Sequence, residues 1–392
     1  MLGVAIRIAQ RMGLDSESTC SKLLPFEAEM SRRIWWSLML FDSRVSELAG
    51  HKSSILSPTW DCKVPLNVND SDIRPGMKEP PALQGKTTES LFSVVRSELG
   101  DFVRQTMFHL EFTCPALKPI IDDDQRSRPP DRDTLATLEK TIEAKYINFC
   151  NPENPLHFMA IWMTRTYLAK CRLIEHHSTY SSSVAHQTES QYDTAMGYAL
   201  KMLEYDTKIS RSPLARGYIW FLDYFFPFMA YMHIVQDLKR RPVSKQAQRA
   251  WDVMSDHYEA RFLGPCLNDS SHFALFAKTV IHAWDEYETK FKQLGKPLIT
   301  PRIVSHIKGR LARGATGVPI SNMQQHGVDA DMSIPSLPLP FTFEVTGMSS
   351  DLSDQDDFSG GVLYPDIMEQ MPLDSGMRQL NWAAMEWGLE ER

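Results

Sequence analysis

Apolar residues recur along this chain at helical spacing and almost nowhere in strict alternation. Leu2, Ala5, Ile6, Ala9 and Met12 fall on one face of a helix over residues 2–12. Gly13 then ends it, as a left-handed glycine past a helix C-terminus would. A second helix is predicted to begin near Pro25, with Glu27 in the first turn where the dipole favours an acid. Its apolar face reads as Met30, Ile34, Leu38, Phe41, Val45 and Leu48, and Gly50 stops it. Residues 51–85, rich in Pro, Asn, Asp and Ser, read as an ordered loop. Helical patterning returns at 87–112, 131–149, 155–177, 189–208, 214–238, 244–263 and 270–293. Ile303, Ile307 and Leu311 give a last helical run beside the basic residues Lys296, Arg302, Lys308, Arg310 and Arg313. No run alternates long enough to argue a sheet. The predicted fold class is all-α, a large multi-helix domain over residues 1–312.

Composition adds to this picture where it is uneven. The chain has 392 residues and 43% hydrophobic content, enough for a large core. No apolar run approaches the roughly 18 residues that a membrane helix needs, so no membrane partner is expected. The N-terminus is interrupted by Arg7 and Arg11 and does not read as a signal peptide. The net charge of -7 is concentrated at one end: residues 329–392 hold 13 acidic and two basic side chains, which leaves +4 on the rest. Residues 313–392 are Gly-, Pro-, Ser- and Asp-rich with scattered apolar side chains, and read as a mostly disordered acidic tail.

Few motifs carry chemistry. The cysteines, at 20, 62, 114, 150, 171 and 266, are too far apart in sequence for a finger-type site, whose thiolates sit at short spacings. They read as buried free thiols. Gly85-Lys86-Thr87 lacks the glycine a phosphate loop needs five residues earlier, where Pro80 stands. His176 and His177 are adjacent, about 100° apart on a helix, and read as a helix-end cap or solvated side chains. Asp122-Asp123-Asp124 reads as a solvated charge run. Lys239-Arg240-Arg241-Pro242 fits a basic helix terminus as well as a nuclear localisation signal. Trp35-Trp36 beside Arg32-Arg33 could form a basic-aromatic surface for nucleic acid. Core packing is the better reading, with one Trp on the Ile34/Leu38 face and the arginines paired with acids such as Glu29 or Asp42.

Residues 5–14, the helix carrying Glu29, Arg32, Arg33, Trp35, Trp36 and Asp42, then Gly50-His51-Lys52, and the loop with Asp61, Pro65 and Asp70 form an ordered set of local motifs. In that order they resemble the regulatory "middle homology" domain of fungal zinc-cluster transcription factors. Residues 5–14 look like the helix that ends in Gly-Leu-His in these regulators, with Asp15 where the family usually has His. Glu29, Arg32, Arg33, Trp35, Trp36 and Asp42 match the family's Glu-x-x-Arg-Arg-x-Trp-Trp helix and its following Asp. Gly50-His51-Lys52 stands where the family usually has Gly-Arg-Pro. Asp61, Pro65 and Asp70 match its Asp-x-x-x-Pro-x-Asn-x-x-Asp loop.

The family normally carries an N-terminal zinc cluster with two Cys-x2-Cys-x6-Cys halves, and this sequence has no such element. The resemblance begins in mid-domain, so the expectation is an N-terminally truncated regulator or one without its own DNA reader. No cofactor is then expected in this chain, and DNA is a partner only through a missing zinc cluster.

The resemblance implies transcriptional regulation in a fungal nucleus, directed at a secondary-metabolite or nutrient pathway. Its implied partners are coactivators or other transcription machinery, with homo- or heterodimers open. Within the acidic tail, Trp382, Met385 and Trp387 are candidate activation residues on a segment able to fold as a short helix on a coactivator. Two rivals remain. One is an α-helical enzyme of specialised metabolism with an apolar pocket at Trp220, Phe221, Tyr224 and Phe225. The other is a non-DNA-binding heterodimer partner of full-length relatives. Converging titratable groups in a closed pocket would favour the enzyme.

Overall fold

A computed structural model describes residues 1–49, 60–82, 87–105, 133–181, 187–263, 271–293 and 298–315. The described residues are all-α and contain no strand. Helix α1 (Leu2–Arg11) ends where Gly13 takes φ +72°. The Gly13 N–H bonds the Gln10 carbonyl at 2.9 Å and the Leu14 N–H bonds Ala9 at 3.0 Å, the paired bonds that close a helix end around glycine. A single turn, α2 (Glu17–Cys20), leads to α3 (Pro25–Ala49), which opens on its proline. Residues 60–82 form the predicted ordered loop, with one 3-10 turn at Asp70–Asp72 closed by a capping box between Asn69 and Asp72.

The remaining helices are α4 (Leu91–Gln105), α5 (Asp133–Lys145), α6 (Pro155–Ser181), α7 (Glu189–Arg211), α8 (Ile219–Tyr224), α9 (Phe228–Arg240), α10 (Ala247–Phe262), α11 (Ser271–Gln293) and α12 (Arg302–Ala315). A 3-10 turn (Ile147–Phe149) follows α5, so the predicted 131–149 helix is shorter than read. The predicted 214–238 helix is broken. A 3-10 turn (Pro213–Tyr218) leads into α8, and α9 begins only after Pro227. Proline has no N–H to continue the ladder and its ring crowds the preceding turn. Every residue from Ile219 to Phe228 except Asp223 and Pro227 is apolar or aromatic, so the period alone does not reveal the break.

Helix α7 lies at the centre, packed by α6, α9 and α10. The largest core joins α6, α7, α9, α10, α11 and α12, with Trp251 and Trp284 edge to face at 5.5 Å. Ile303 and Ile307 of α12 are buried there, while Leu311 is half exposed. A second core joins α4, α5 and α6. A third holds Ile6, Ala9, Trp35, Trp36, Met39, Trp60 and Cys62.

The buried face of α3 is not the one its apolar residues suggest. Ile34 and Phe41 are each 47% exposed, whereas Glu29, Ser31, Trp35, Trp36, Asp42, Arg44 and Ser46 are buried. The helix is turned because loop 60–73 brings hydrogen-bonding partners to its polar residues.

Candidate functional site

The motif residues assemble into a clamp between α2, α3 and the loop. Trp35 and Trp36 are both buried, each edge to face with Trp60, at 5.5 and 5.2 Å. The Trp36 indole N–H donates to the Lys63 carbonyl at 2.9 Å. Arg33 donates to Glu29 at 2.9 Å, Asp70 at 2.7 Å and Ser90 at 2.7 Å. Arg32 grips Glu17 through two nitrogens. Asp61 accepts the Glu17 N–H at 2.8 Å, and Pro65, further along the loop, is buried. Fully buried Glu29 takes the Leu66 N–H; burial raises its carboxyl pKa against these bonds. Asp42 is also buried.

The arginines are therefore saturated by carboxylates, as the core reading holds, with Glu17 as the unforeseen partner of Arg32. Gly50 lies outside the described residues, as do Asp122–Asp124, Gly85-Lys86 and the tail residues Trp382, Met385 and Trp387.

One other expectation changes. His176 and His177 are not solvated. They lie inside α6, where His176 is buried and the ring of His177 sits 5.0 Å from that of buried His233 on α9. Burial holds the His177 pKa at about 4 and that of His233 well below the ordinary value. The Lys239–Arg241 run is a basic helix end tied by acids: Arg241 binds Asp237, Glu189 and Asp193, and Lys239 binds Glu286. Cys20, Cys62 and Cys171 are buried free thiols, as read, while Cys150 is half-buried and Cys114 and Cys266 lie outside the described residues. Among the described residues no cluster of metal-ligating side chains occurs.

One buried network looks reactive on paper. Asp206 on α7 accepts from His257 Nε2 at 2.7 Å and from Arg261 at 2.7 and 2.8 Å. A carboxylate can only accept, so His257 carries its proton on Nε2, and Nδ1 takes the Tyr231 hydroxyl at 2.7 Å. All four side chains are buried in the core. With no substrate access, the network fastens α7, α9 and α10 together.

The sequence reading missed a second polar junction, between α3, α4, α6 and α8. Arg44 binds Glu47 at 2.9 Å and the carbonyls of Tyr224 and Phe226 at 2.7 and 3.2 Å. Lys170 binds the same Glu47 at 2.6 Å. Burial would raise the Glu47 carboxyl, but Lys170 and Arg44 outweigh it and hold the pKa at about 2. Beside them the Arg96 guanidinium lies over the rings of Phe92, Phe221 and Phe225, at 5.5, 4.8 and 5.2 Å. The i,i+3 spacing of Arg44 and Glu47 is the one local signal of this junction.

Residues 1–91 match the family described as "Fungal specific transcription factor domain". Over 316 residues the chain is 47% identical to "Transcriptional regulator AacuB" of Aspergillus aculeatus, covering 79% of this chain and 42% of that protein. It is 40% identical over 401 residues to "Transcriptional regulator nsrM" of Aspergillus novofumigatus, covering 99% of this chain and 53% of that one. "Aurofusarin cluster transcription factor aurR2" of Gibberella zeae is 28% identical over 86% of this chain and 49% of its own length. The chain thus spans about half the length of the curated relatives it matches. No solved structure matches.

Proposed function

We propose, from the premise that the chain carries a fungal specific transcription factor domain, that it regulates transcription in a fungal nucleus and controls a secondary-metabolite gene cluster. One observation carries the reading: the matched residues 1–91 build a clamp in which every described motif side chain, from Arg32 to Asp70, has a structural partner or a buried place. The names of two relatives supply the pathway class, one an aurofusarin and the other a pyriculol/pyriculariol cluster factor. No helix among the described residues is long and apolar enough to cross a membrane.

The enzyme alternative finds little support in the geometry. The converging groups at Asp206 are sealed in the core, and Glu47 is ion-paired with Arg44 and Lys170. In this reading the helical domain restrains or transmits a signal, and the acidic segment 329–392 recruits coactivators through Trp382, Met385 and Trp387. DNA recognition depends on a zinc cluster that these 392 residues do not contain.

Deleting the gene in its host and sequencing transcripts tests the proposal. Coordinated change across one contiguous metabolite cluster is expected; an unchanged profile under producing conditions contradicts it. Fusing residues 329–392 to an unrelated DNA-binding domain tests the output segment. Reporter activity that survives replacement of both Trp382 and Trp387 by Ala counts against the assigned role.

A further inference from the structure

We propose that the junction centred on Arg96, between α3, α4, α6 and α8, binds a small planar aromatic anion, a carboxylate or phenolate. The inference deepens the regulatory reading, since such a ligand would be the signal that the helical domain senses.

The first observation is the state of Arg96. It is half-buried and makes no hydrogen bond or ion pair among the described residues. Three phenylalanine rings face its guanidinium, which is attracted to their negative faces. They do not satisfy the five N–H donors of an arginine, which a carboxylate fork matches in pairs. Burial pushes the Arg96 pKa down to about 10, and Tyr167 is the titratable group whose field acts on it. No Arg96 nitrogen is among the buried atoms left without a partner, so its donors face solvent, where an incoming anion can reach them.

The second observation is the charge around it. Arg44 and Lys170 share one carboxylate, Glu47. Two cations thus share one acid beside Arg96, and no ion pair among the described residues here includes Arg96 itself. Each nitrogen of Arg44 already has a partner, Glu47 or a carbonyl, so Arg96 is the group left to receive an incoming anion.

The third observation sets the ligand's shape. Phe92, Phe221 and Phe225 present flat faces around the guanidinium, and Phe41 stacks on Tyr224 at 5.1 Å with rings 3° from parallel. The row continues outward through Trp220, 74% exposed and 5.7 Å from Phe221. An aromatic ring would stack in this row while its charged group meets Arg96. The chemistry is binding, since an ionised and doubly paired Glu47 cannot abstract a proton. Arg44 joins the site to the last residue of α8 and to the linker that follows it, so occupancy would tighten α3 against that break.

The test uses the purified chain, thermal melting and tryptophan fluorescence, with 2-naphthoate, its neutral analogue 2-naphthalenemethanol, and inorganic phosphate as probes. Saturable binding of 2-naphthoate below about 1 mM is expected, about tenfold or more tighter than the alcohol or phosphate. Arg96→Leu is expected to melt no lower than the parent and to lose the ligand-induced rise. Arg96→Gln, the variant to use if the Leu form does not fold, should weaken 2-naphthoate about tenfold. Three results each overturn the site: no saturation by about 10 mM, equal affinity for the neutral alcohol, or unchanged binding to the Arg96 variants. None of them alters the transcript profile of the deletion strain, so the site can fail while the regulatory reading stands.

Discussion

Replacing Asp206 by Asn keeps the side chain's shape and removes its charge at the centre of the helical core. Asp206 is 2% exposed and accepts three hydrogen bonds of 2.7–2.8 Å from His257 and Arg261. An amide offers one acceptor oxygen, and its NH2 group would face N–H donors of Arg261 or His257. Arg261, 5% exposed, loses its carboxylate while staying in the core. Breaking one side of a buried ion pair costs about 3–5 kcal/mol.

An internal comparison isolates burial as the cause. Arg302 pairs with Asp256 at 2.9 Å and Glu259 at 2.7 Å but is 52% exposed, so Arg302→Ala should cost under about 1 kcal/mol. Urea unfolding at pH 7, followed by tryptophan fluorescence, measures both. The same carboxyl also sets an acid limit. Burial alone would raise its pKa, but Arg261 and His257 hold it at about 2 in the folded state. A lowered folded pKa contributes stability above the unfolded value near 4, and that stability is lost as pH falls from about 4 to 2. Asp206→Asn should lack this loss. If its cost lies within about 1 kcal/mol of that of Arg302→Ala, the reasoning from burial is refuted.

A second acid effect should begin nearer neutrality. His177 and His233 are held below their ordinary pKa by burial, so the folded chain binds fewer protons than the unfolded one below about pH 6.5. Stability should drop from there as pH falls toward 4, by about 3 kcal/mol from His177 alone. His233→Leu should flatten the curve of unfolding free energy against pH, and curves parallel to the parent's would contradict this. Trp36→Ala should cost about 3–5 kcal/mol while Ile34→Ala costs under about 1 kcal/mol; equal costs in denaturant titrations would reject the buried face assigned to α3. Gly13→Ala places a Cβ 2.8 Å from Thr19 Cγ2 at φ +72°, so a loss of about 1 kcal/mol or more is expected. A melting temperature equal to the parent's would show that the α1–α2 turn relaxes freely.

Most helices were legible because a helix packed on one side keeps a 3.6-residue period that local sequence displays. Helices α7, α10 and α11 begin or end within a few residues of the expected positions. The reading fails where that period carries no information. Between Ile219 and Phe228 nearly every position is apolar, so any register looks helical, and Pro227 was the one visible reason to break the run. The histidines of α6 failed for a related reason. Polarity placed them at the surface, while the neutral imidazole that burial enforces packs like any aromatic ring.

The harder failure is α3, where the pattern pointed the helix the wrong way. Hydrophobicity assigns a core face by counting apolar residues, which assumes that a polar side chain prefers water. Glu29 and Arg33 escape that assumption because Leu66 and Asp70, 37 residues further on, supply their partners. Local sequence cannot show a partner so distant. Arg44 is paired still further away, with carbonyls 180 and 182 residues on. Arg96 differs from both. Its rings, Phe221 and Phe225, come from a distant segment too, yet they leave its donors to solvent. Polar burial with distant partners thus has two outcomes in one molecule. Where donors and acceptors balance, as at Arg33 and Glu29, the residues are structural even though they form the recognisable motif. Where they do not, as at Arg96, the imbalance is chemistry available to a ligand.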